Sequence, residues 1–480
     1  MKLYDLLHAI EYEGKPENAT VAHVTEDSRK VVPGSVFCCV AGKGFDGHDY
    51  AAQALEHGAV CVVVQRSLGL PCEIVVKNTR AAYARLCAAY HGHSHAKLTL
   101  VGVTGTNGKT TTACLLKQMF DLMGYQTGLI GTLKNMVGET EYPAVLTTPD
   151  PWELHGLFAE MVATGCTHCF MEVSSQALDQ KRVEGITFQV GVFSNLTQDH
   201  LDYHLTMENY YQAKKKLFSM CDTAVINIDD LYGRRLKDEV ECKALTFACE
   251  SSNADYSAHN IKFSERGSSF AFLAGNSLER VNFAQPGLFS VSNALAAGVL
   301  CIAAGIELPQ VIDGLNRSKG VTGRFEILPT NTDYTVIRDY AHSPDSLEKV
   351  LSAIRSFATG RVVTLFGCAG NRDRTKRPMM AEAAAKFSDY CIITSDNPRD
   401  EDPEQIIKDA LPGIKQHKTP YKAIIDRYEA IGWALKNSQP GDILVLAGKG
   451  HEDYQVLDYG TIYFNEREIV LSMLGIEGEV

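Results

Sequence analysis

The sequence predicts an α/β protein of three domains, and three observations carry that prediction. LTLVGVTGTNGKTTT at 98–112 runs from apolar and β-branched residues through a glycine turn into the apolar-periodic ACLLKQMFDLMGY. That is strand, tight loop and helix, with Gly124 as the helix stop. Four strand-like segments in the last third each run into a polar turn and are separated by helical stretches, the pattern of a doubly wound sheet. The first hundred residues show a strand–helix–strand rhythm on a smaller scale. At ~150 residues per domain, 480 residues allow about three. The expected architecture is a small N-terminal α/β domain over 1–97, a central P-loop ATPase-like parallel sheet over 98–322, and a C-terminal doubly wound, Rossmann-like sheet over 323–480.

Composition narrows the class. Hydrophobic residues at 45% and charged residues at 22% are those of an ordinary globular chain. A net charge of −12 disfavours nucleic acid and anionic membrane surfaces as partners. The fourteen cysteines form no CxxC pair, and Cys61, Cys87, Cys114 and Cys301 sit in apolar runs, so free thiols in a reducing compartment are expected. MKLYDLLHAIEYEGK at the start carries acids inside its short apolar part and does not read as a signal peptide. No run approaches ~20 apolar residues. A cytoplasmic, monomeric protein is the expectation.

Within the first domain, VFCCVA at 36–41 and AVCVVV at 59–64 read as buried strands, and YAAQAL at 50–55 as the helix between them. The polar turns at 27–29 and 42–47 read as loops with room for a ligand rim. HGHSH at 91–95 reads as a solvated hinge to the next domain.

In the central domain Gly105 and Gly108 let backbone N–H groups turn around an anion at the positive end of the helix. Lys109 supplies a charge for the outer phosphates, and the Thr110 hydroxyl can hold Mg²⁺. The loop departs from GxxxxGK[ST], because Val103 stands where the leading glycine would be and Gly105 takes over. A nucleoside triphosphate is the implied ligand. HCFME at 168–172 is a buried strand ending on Glu172, well placed for Mg²⁺ beside a phosphate loop. The strand at 188–194 leads to a cluster with Asp199, His200, Asp202 and His204, of which His200 is the candidate metal ligand and His204 a structural group. A helix begins near Met207 and carries the lysine run at 214–216, ordinarily a solvated face. The stretch 253–283 reads as a small antiparallel addition, and Asn293 as the opening of a further helix.

In the third domain the strand-and-turn units are 335–344, 362–373, 390–399 and 443–452, with all four turns expected at the carboxyl edge. Arg372 and Arg399 can each grip a carboxylate bidentately. Glu452 can pair with an ammonium group, so the pocket suits a small zwitterion.

Together these segments resemble the Mur ligase family over essentially the whole chain. The carrying motifs are GTNGKTT at 105–111, MEVSSQALDQKR at 171–182, SNLTQDHLDYH at 194–204, AKKKLF at 213–218, GRFE at 323–326, DYAHSPDSL at 339–347, GCAGNRDRTKRP at 367–378, SDNPR at 395–399 and AGKGHEDYQ at 447–455. The resemblance implies an ATP-dependent ligase that adds meso-diaminopimelate to the D-Glu γ-carboxylate of UDP-N-acetylmuramoyl-L-Ala-D-Glu in peptidoglycan precursor synthesis. It implies that Asp27, Ser28, Lys43, Gly44 and Phe45 hold the UDP end. Thr147, Thr148, Ser174, Gln180 and Arg182 would line the muramoyl-dipeptide path. ATP would lie on Gly105, Thr106, Asn107, Gly108, Lys109, Thr110 and Thr111, with Asn293, Arg324 and Asp339 completing its site. Thr110, Glu172, His200 and Lys214 would surround Mg²⁺ in two sites, with Lys214 as a CO₂-derived carbamate. Lys109, Lys214, His200 and Glu172 form the implied catalytic set, while Lys215 and Lys216 stay on the surface. The diaminopimelate pocket would comprise Arg372, Asp396, Asn397, Pro398, Arg399, Gly448 and Glu452. His342 is a candidate base for the attacking amine by position alone. The rival readings are a lysine-adding or related amide ligase and, from another class, a P-loop regulatory ATPase without a covalent product.

Overall fold

A computed structural model describes residues 1–42 and 44–476. Lys43 lies outside the described residues. Three separate sheets of mainly parallel strands follow one another along the chain, which is the predicted α/β class.

The first is a four-stranded, all-parallel sheet in the order His23–Thr25, Ser35–Cys38, Cys61–Val64 and Glu73–Val75. Its second and third strands are fully buried runs with no polar alternation, as a sheet covered on both faces requires. The predicted helix at 50–55 forms as Ala51–Glu56.

The second sheet has eleven strands. Its middle runs Cys221–Asn227, Phe188–Phe193, Thr99–Thr104, His168–Glu172 and Thr127–Ile130, all parallel. The strand before the phosphate loop is therefore central, and its carboxyl end lies between those of Phe188–Phe193 and His168–Glu172. The antiparallel addition read at 253–283 is a meander of Tyr256–Ser264, Gly267–Ala274 and Ser277–Phe283 that extends this sheet rather than standing apart. Asn293 does not open its helix. The helix is Leu288–Ala303, begun by Pro286 and by Gly287 at φ +100°, and Asn293 sits inside it, buried.

The third sheet runs Glu326–Ile327, Thr335–Asp339, Ile443–Ala447, Val362–Cys368, Tyr390–Ser395 and Tyr421–Ala423. All pairs but the first are parallel. The four polar turns thus leave neighbouring strands at one edge.

The histidine stretch is not a solvated hinge. Ser94–Lys97 is a short helix, and His95 is buried against His155 at 5.2 Å between ring centroids. The cause is the helix Pro151–Ala163, whose start is set by Asp150 accepting from the Trp152 and Glu153 amides at 2.9 and 3.3 Å. That cap aims Trp152 into His23, Tyr90 and His91, and the apolar contact draws the histidines out of water.

Candidate active site

The phosphate loop follows Thr99–Thr104 and feeds the helix Lys109–Leu122. Gly108 holds φ +86°, and a Cβ there would run into the Asn293 carboxamide, so only glycine fits. The loop is stapled to the next strand's turn. Thr106 N–H donates to the Asn195 carbonyl at 2.9 Å, Asn107 N–H to Asn195 Oδ1 at 3.0 Å, and Ser194 Oγ to the Asn107 carbonyl at 2.6 Å. Lys109 Nζ curls back onto the Gly105 and Thr106 carbonyls at 3.1 and 2.9 Å, which places its charge over the loop. Burial pulls this ammonium below its usual value, with Arg324 adding to the effect and Glu172 and Asp199 opposing it.

Glu172 is buried at its strand end. Its Oε2 accepts from Thr110 Oγ1 at 3.0 Å and Thr132 Oγ1 at 3.1 Å, and its Oε1 from Thr132 N–H at 2.7 Å. On the other side of the loop Lys214 is buried on the helix Met207–Lys215, donates to the Gly105 carbonyl at 2.7 Å and lies 4.6 Å from the Tyr210 ring centre. Burial, then the Lys109 charge, drive its ammonium well below the usual range, against a smaller pull from Asp199. His200 takes a left-handed backbone at φ +52°. Burial lowers its pKa to about 4 despite Asp199, with Lys109 and Lys214 contributing, so the ring is neutral and free to coordinate. His204 instead bonds Ser175 Oγ at 2.9 Å and stacks on Tyr210. Lys215 and Lys216 are partly exposed and pair with Glu239 and Asp179.

These donors fit Mg²⁺ as two one-sided sites. Among the described residues no three His, Cys, Asp or Glu groups cluster into a metal cage. Magnesium needs only one or two protein oxygens when phosphates and water complete its octahedron. Thr110 with Glu172 meets that need directly. Lys214 meets it only if its amine becomes a carboxylate, and its burial beside a second lysine favours the neutral amine from which that change starts.

Arg324 reaches across from the third sheet, donating to Thr110 Oγ1 at 3.1 Å with its guanidinium 4.4 Å from the Tyr340 ring centre. Asp339 ends Thr335–Asp339 and anchors this corner by accepting from the Phe325 and Ala341 amides at 2.6 and 2.7 Å. Between the sheets lies a cavity of about 460 Å³ that Asn107, Gly108, Thr111, Asn293, Arg324 and Asp339 line together. Leu288, Phe289 and Val350 give it an apolar wall and Asp229 and Asp230 an acidic rim, which suits a base and ribose.

The dipeptide-path residues also meet. Thr148 Oγ1 donates to the Glu172 carbonyl at 2.8 Å and accepts from the Ser174 amide at 3.0 Å. Arg182 donates to the Thr148 carbonyl and to Gln180 Oε1, both at 2.8 Å, and Thr147 Oγ1 is 3.1 Å from Thr132 Oγ1. Two groups absent from the sequence reading face them from the first sheet. Burial raises the Glu26 pKa while Arg80 and Arg182 oppose the rise, and Arg80 donates to the Ala41 carbonyl at 2.7 Å. Asp27 and Ser28 follow one parallel strand, and Gly44 and Phe45 follow its neighbour, so both turns leave the same sheet edge. Asp27 is held by Arg29, and Phe45 is exposed.

The third-sheet turns converge on a charged pocket. Arg399 donates to the Gly370 carbonyl at 2.7 Å. Burial lowers its pKa and the neighbouring Arg372 adds to that, so two guanidiniums share a space that an anion would relieve. Asn397 Nδ2 donates to Glu452 Oε2 at 3.0 Å, Tyr340 OH lies 3.4 Å from Glu452 Oε1, and buried Asp396 leaves Oδ1 without a hydrogen-bond donor. Gly448, at φ +116°, brings its backbone against the Asp396 carboxylate. Pro398 turns the chain between Asn397 and Arg399. Lys449, which the sequence reading passed over as part of a turn, is fully buried at the centre. Its signal was a lysine between two glycines at a strand end, too common to single out.

A phosphate loop and a zwitterion pocket that share Tyr340 across a domain junction define an enzyme that joins two substrates with a nucleoside triphosphate. The chain belongs to the Mur ligase family: the Mur ligase catalytic domain matches residues 20–96, the middle domain 103–301 and the glutamate ligase domain 323–450. It is 44% identical over 98% of both chains to UDP-N-acetylmuramoyl-L-alanyl-D-glutamate–2,6-diaminopimelate ligase 1 of Clostridium acetobutylicum. The ligase of that name from Geobacillus thermodenitrificans is 42% identical over 98% of both chains. A solved structure of a ligase of the same name superposes with a TM-score of 0.71 at 32% identity over 99% of both chains. The MurF ligase of Thermotoga maritima in complex with ADP shares the fold, with a TM-score of 0.65 at 20% identity over 95% of this chain and 97% of that one.

Proposed function

We propose that this chain is the ATP-dependent ligase that adds meso-2,6-diaminopimelate to the D-Glu γ-carboxylate of UDP-N-acetylmuramoyl-L-Ala-D-Glu, in peptidoglycan precursor synthesis. The observation that carries the reading is the pairing of Arg372 and Arg399 with Asp396 and Glu452 in one pocket, beside the nucleotide cavity. A carboxylate and an ammonium on one distal carbon meet both halves of that pocket, whereas lysine leaves the guanidiniums unanswered. Residues 1–97 serve the UDP-sugar, 98–322 the nucleotide and 323–480 the incoming amino acid.

A carboxylate is a poor electrophile, so its oxygen first attacks the γ-phosphorus of ATP, giving an acyl phosphate and ADP. Lys109 and Arg324 carry the positive charge that offsets the transferring phosphoryl group. Thr110, Glu172, His200 and a carbamylated Lys214 would hold Mg²⁺, which would supply further electrostatic stabilisation of the same group. Arg182, Thr148 and Ser174 orient the dipeptide. The neutral amine of the acceptor then attacks the acyl carbon, the bond to the phosphate oxygen breaks, and the proton the nitrogen sheds leaves with phosphate or to solvent. The third sheet folds over the loop through Asn107, which donates to Asp345 Oδ2 at 2.9 Å, and Lys376, which reaches Asp199 Oδ1 at 2.6 Å. That cover keeps water from the acyl phosphate. No helix among the described residues is long and apolar enough to cross a membrane.

The test is ADP release with ATP, Mg²⁺ and the UDP-muramoyl dipeptide, supplied with diaminopimelate or with L-lysine, and mass detection of the product. A tripeptide from diaminopimelate alone is expected. Turnover with lysine instead would transfer the pocket to the lysine-adding reading, and ATP hydrolysis without either product would return the chain to the regulatory ATPases.

A further inference from the structure

Lys449 lies on the turn after Ile443–Ala447, and its side chain is wholly out of solvent between the rings of Tyr454 and Phe464, 5.8 and 5.9 Å away. A buried ammonium needs all three donors used. Here they meet the Tyr454 carbonyl at 2.7 Å, Asn397 Oδ1 at 3.1 Å and Glu452 Oε2 at 3.4 Å, with Asp396 Oδ1 at 3.5 Å as an ionic neighbour.

Asn397 Oδ1 also accepts from the Val456 amide at 3.0 Å. With an ammonium and an N–H both aimed at one side of the carboxamide, that side must be the oxygen. Asn397 Nδ2 therefore faces Glu452 and occupies Oε2. Glu452 Oε1 is left with only the 3.4 Å contact to Tyr340 OH, and Asp396 Oδ1 with no hydrogen-bond donor. These are the two oxygens that remain for an incoming ammonium. Without Lys449 the Asn397 oxygen would keep only the Val456 amide, and Asp396 and Glu452 would lose the buried ammonium that lies against both, leaving the Arg372 and Arg399 guanidiniums as their neighbouring cations.

We propose that Lys449 is a positioning residue for the acceptor. From its buried seat it fixes the Asn397 carboxamide and so aims Glu452 Oε1 and Asp396 Oδ1 at the distal ammonium of the amino acid. This rests on the acceptor pocket proposed above and adds to it the group that sets its polarity. Arg399 reads the distal carboxylate, while Lys449 governs recognition of the distal ammonium.

The two roles separate with 2-aminopimelate, a diacid that keeps the distal carboxylate and lacks the distal amine. The full-length wild type, Lys449→Met and Lys449→Arg are assayed for KM and kcat with diaminopimelate, with 2-aminopimelate and with varied ATP, beside a thermal melt of each. Expected for Lys449→Met is a diaminopimelate KM raised roughly tenfold to a hundredfold, with the 2-aminopimelate and ATP KM values and the kcat close to wild type. The wild-type preference for the diamine thus collapses. Lys449→Arg keeps the charge but not the tetrahedral donors, and falls between. A preference preserved in both folded variants overturns the proposal, as does loss of folding in both, which would make Lys449 a stability element. A wild type that does not use diaminopimelate overturns the substrate reading itself, a result seen before any variant is compared.

Discussion

Where the first sheet meets the second, Trp152 lies among His23, Tyr90 and His91, and His95 packs on His155. Neither nitrogen of His155 has a hydrogen-bond partner, nor does His91 Nε2 or His95 Nδ1. Where the second sheet meets the third, the contacts are Arg324 on Thr110, Asn107 on Asp345 and Lys376 on Asp199, and Arg324 and Asn107 also line the cavity between the sheets. The first junction is mainly aromatic and dry, with one partly exposed ion pair of Arg85 with Glu184 at 2.9 Å; the second is polar and wet. Apolar packing is lost only by exposing its area, whereas a polar contact that opens exchanges its partner for water at a small net cost. From that difference we propose that the first joint is the fixed one and that the second is the one that opens and closes.

The largest effect is expected where the second junction touches the reacting phosphates. Arg324→Ala removes a charge from an enclosed site and should lower kcat roughly a hundredfold to a thousandfold, read by ADP release at saturating substrates. A change of less than threefold would move Arg324 from catalysis to packing.

Acid should break the first junction. Burial sets the His95 pKa to about 4 and the His155 pKa to about 3, each helped by neighbouring histidines, against 6.5 for a free ring. Both rings bind fewer protons folded than unfolded between those values. The loss of stability therefore begins as the pH falls through 6.5 and continues toward 4, by roughly 2.5 kcal/mol between pH 6 and pH 5 for the two rings. Urea midpoints across that range measure it. His155→Phe should remove about half the slope, and an unaltered slope would mean that these rings do not set acid stability.

Within the third sheet, Arg399→Ala should cost ~2 kcal/mol of binding to the distal carboxylate, or about thirtyfold in the diaminopimelate KM. The KM for L-lysine, if measurable, should hardly change, because lysine presents no distal carboxylate. A parallel loss with both acceptors would show that Arg399 supports the turn rather than reads the substrate.

How much of this was legible depended on whether the parts were contiguous. The phosphate loop is one unbroken strand, turn and helix, so its residues could be read in place, as could the four strand-end turns that form one edge of the third sheet. The histidine stretch was misread because its burial is decided by Trp152, some sixty residues on, and no local pattern reports a tertiary neighbour. Asn293 was placed at a helix start because the Pro286–Gly287 signal that begins the helix was overlooked. Lys449 was invisible for a third reason. Its partners are Asn397 from another turn, Glu452 from its own and Tyr454 from the strand that follows, and a lysine in a glycine turn looks solvated until those pieces are folded together.

The smallest effect is expected from the outer ring of the second junction. Asp345 accepts from Asn107 Nδ2 at 2.9 Å, Thr197 Oγ1 at 3.1 Å and Lys349 Nζ at 2.9 Å, and so ties the phosphate loop to the third sheet before any nucleotide binds. Partly exposed contacts of this kind contribute about 0.5–1 kcal/mol. Asp345→Ala should therefore shift the ATP KM by a factor of about two to five and leave the melting temperature nearly unchanged. The sign distinguishes two roles. If Asp345 helps to assemble the closed site, the KM rises. If it holds Asn107 away from the phosphates until ATP displaces it, the KM falls, and the wet junction would be a latch that the nucleotide must open. Added salt should weaken either version, while the first junction, whose one exposed ion pair of Arg85 with Glu184 stands beside a larger aromatic contact, should respond less.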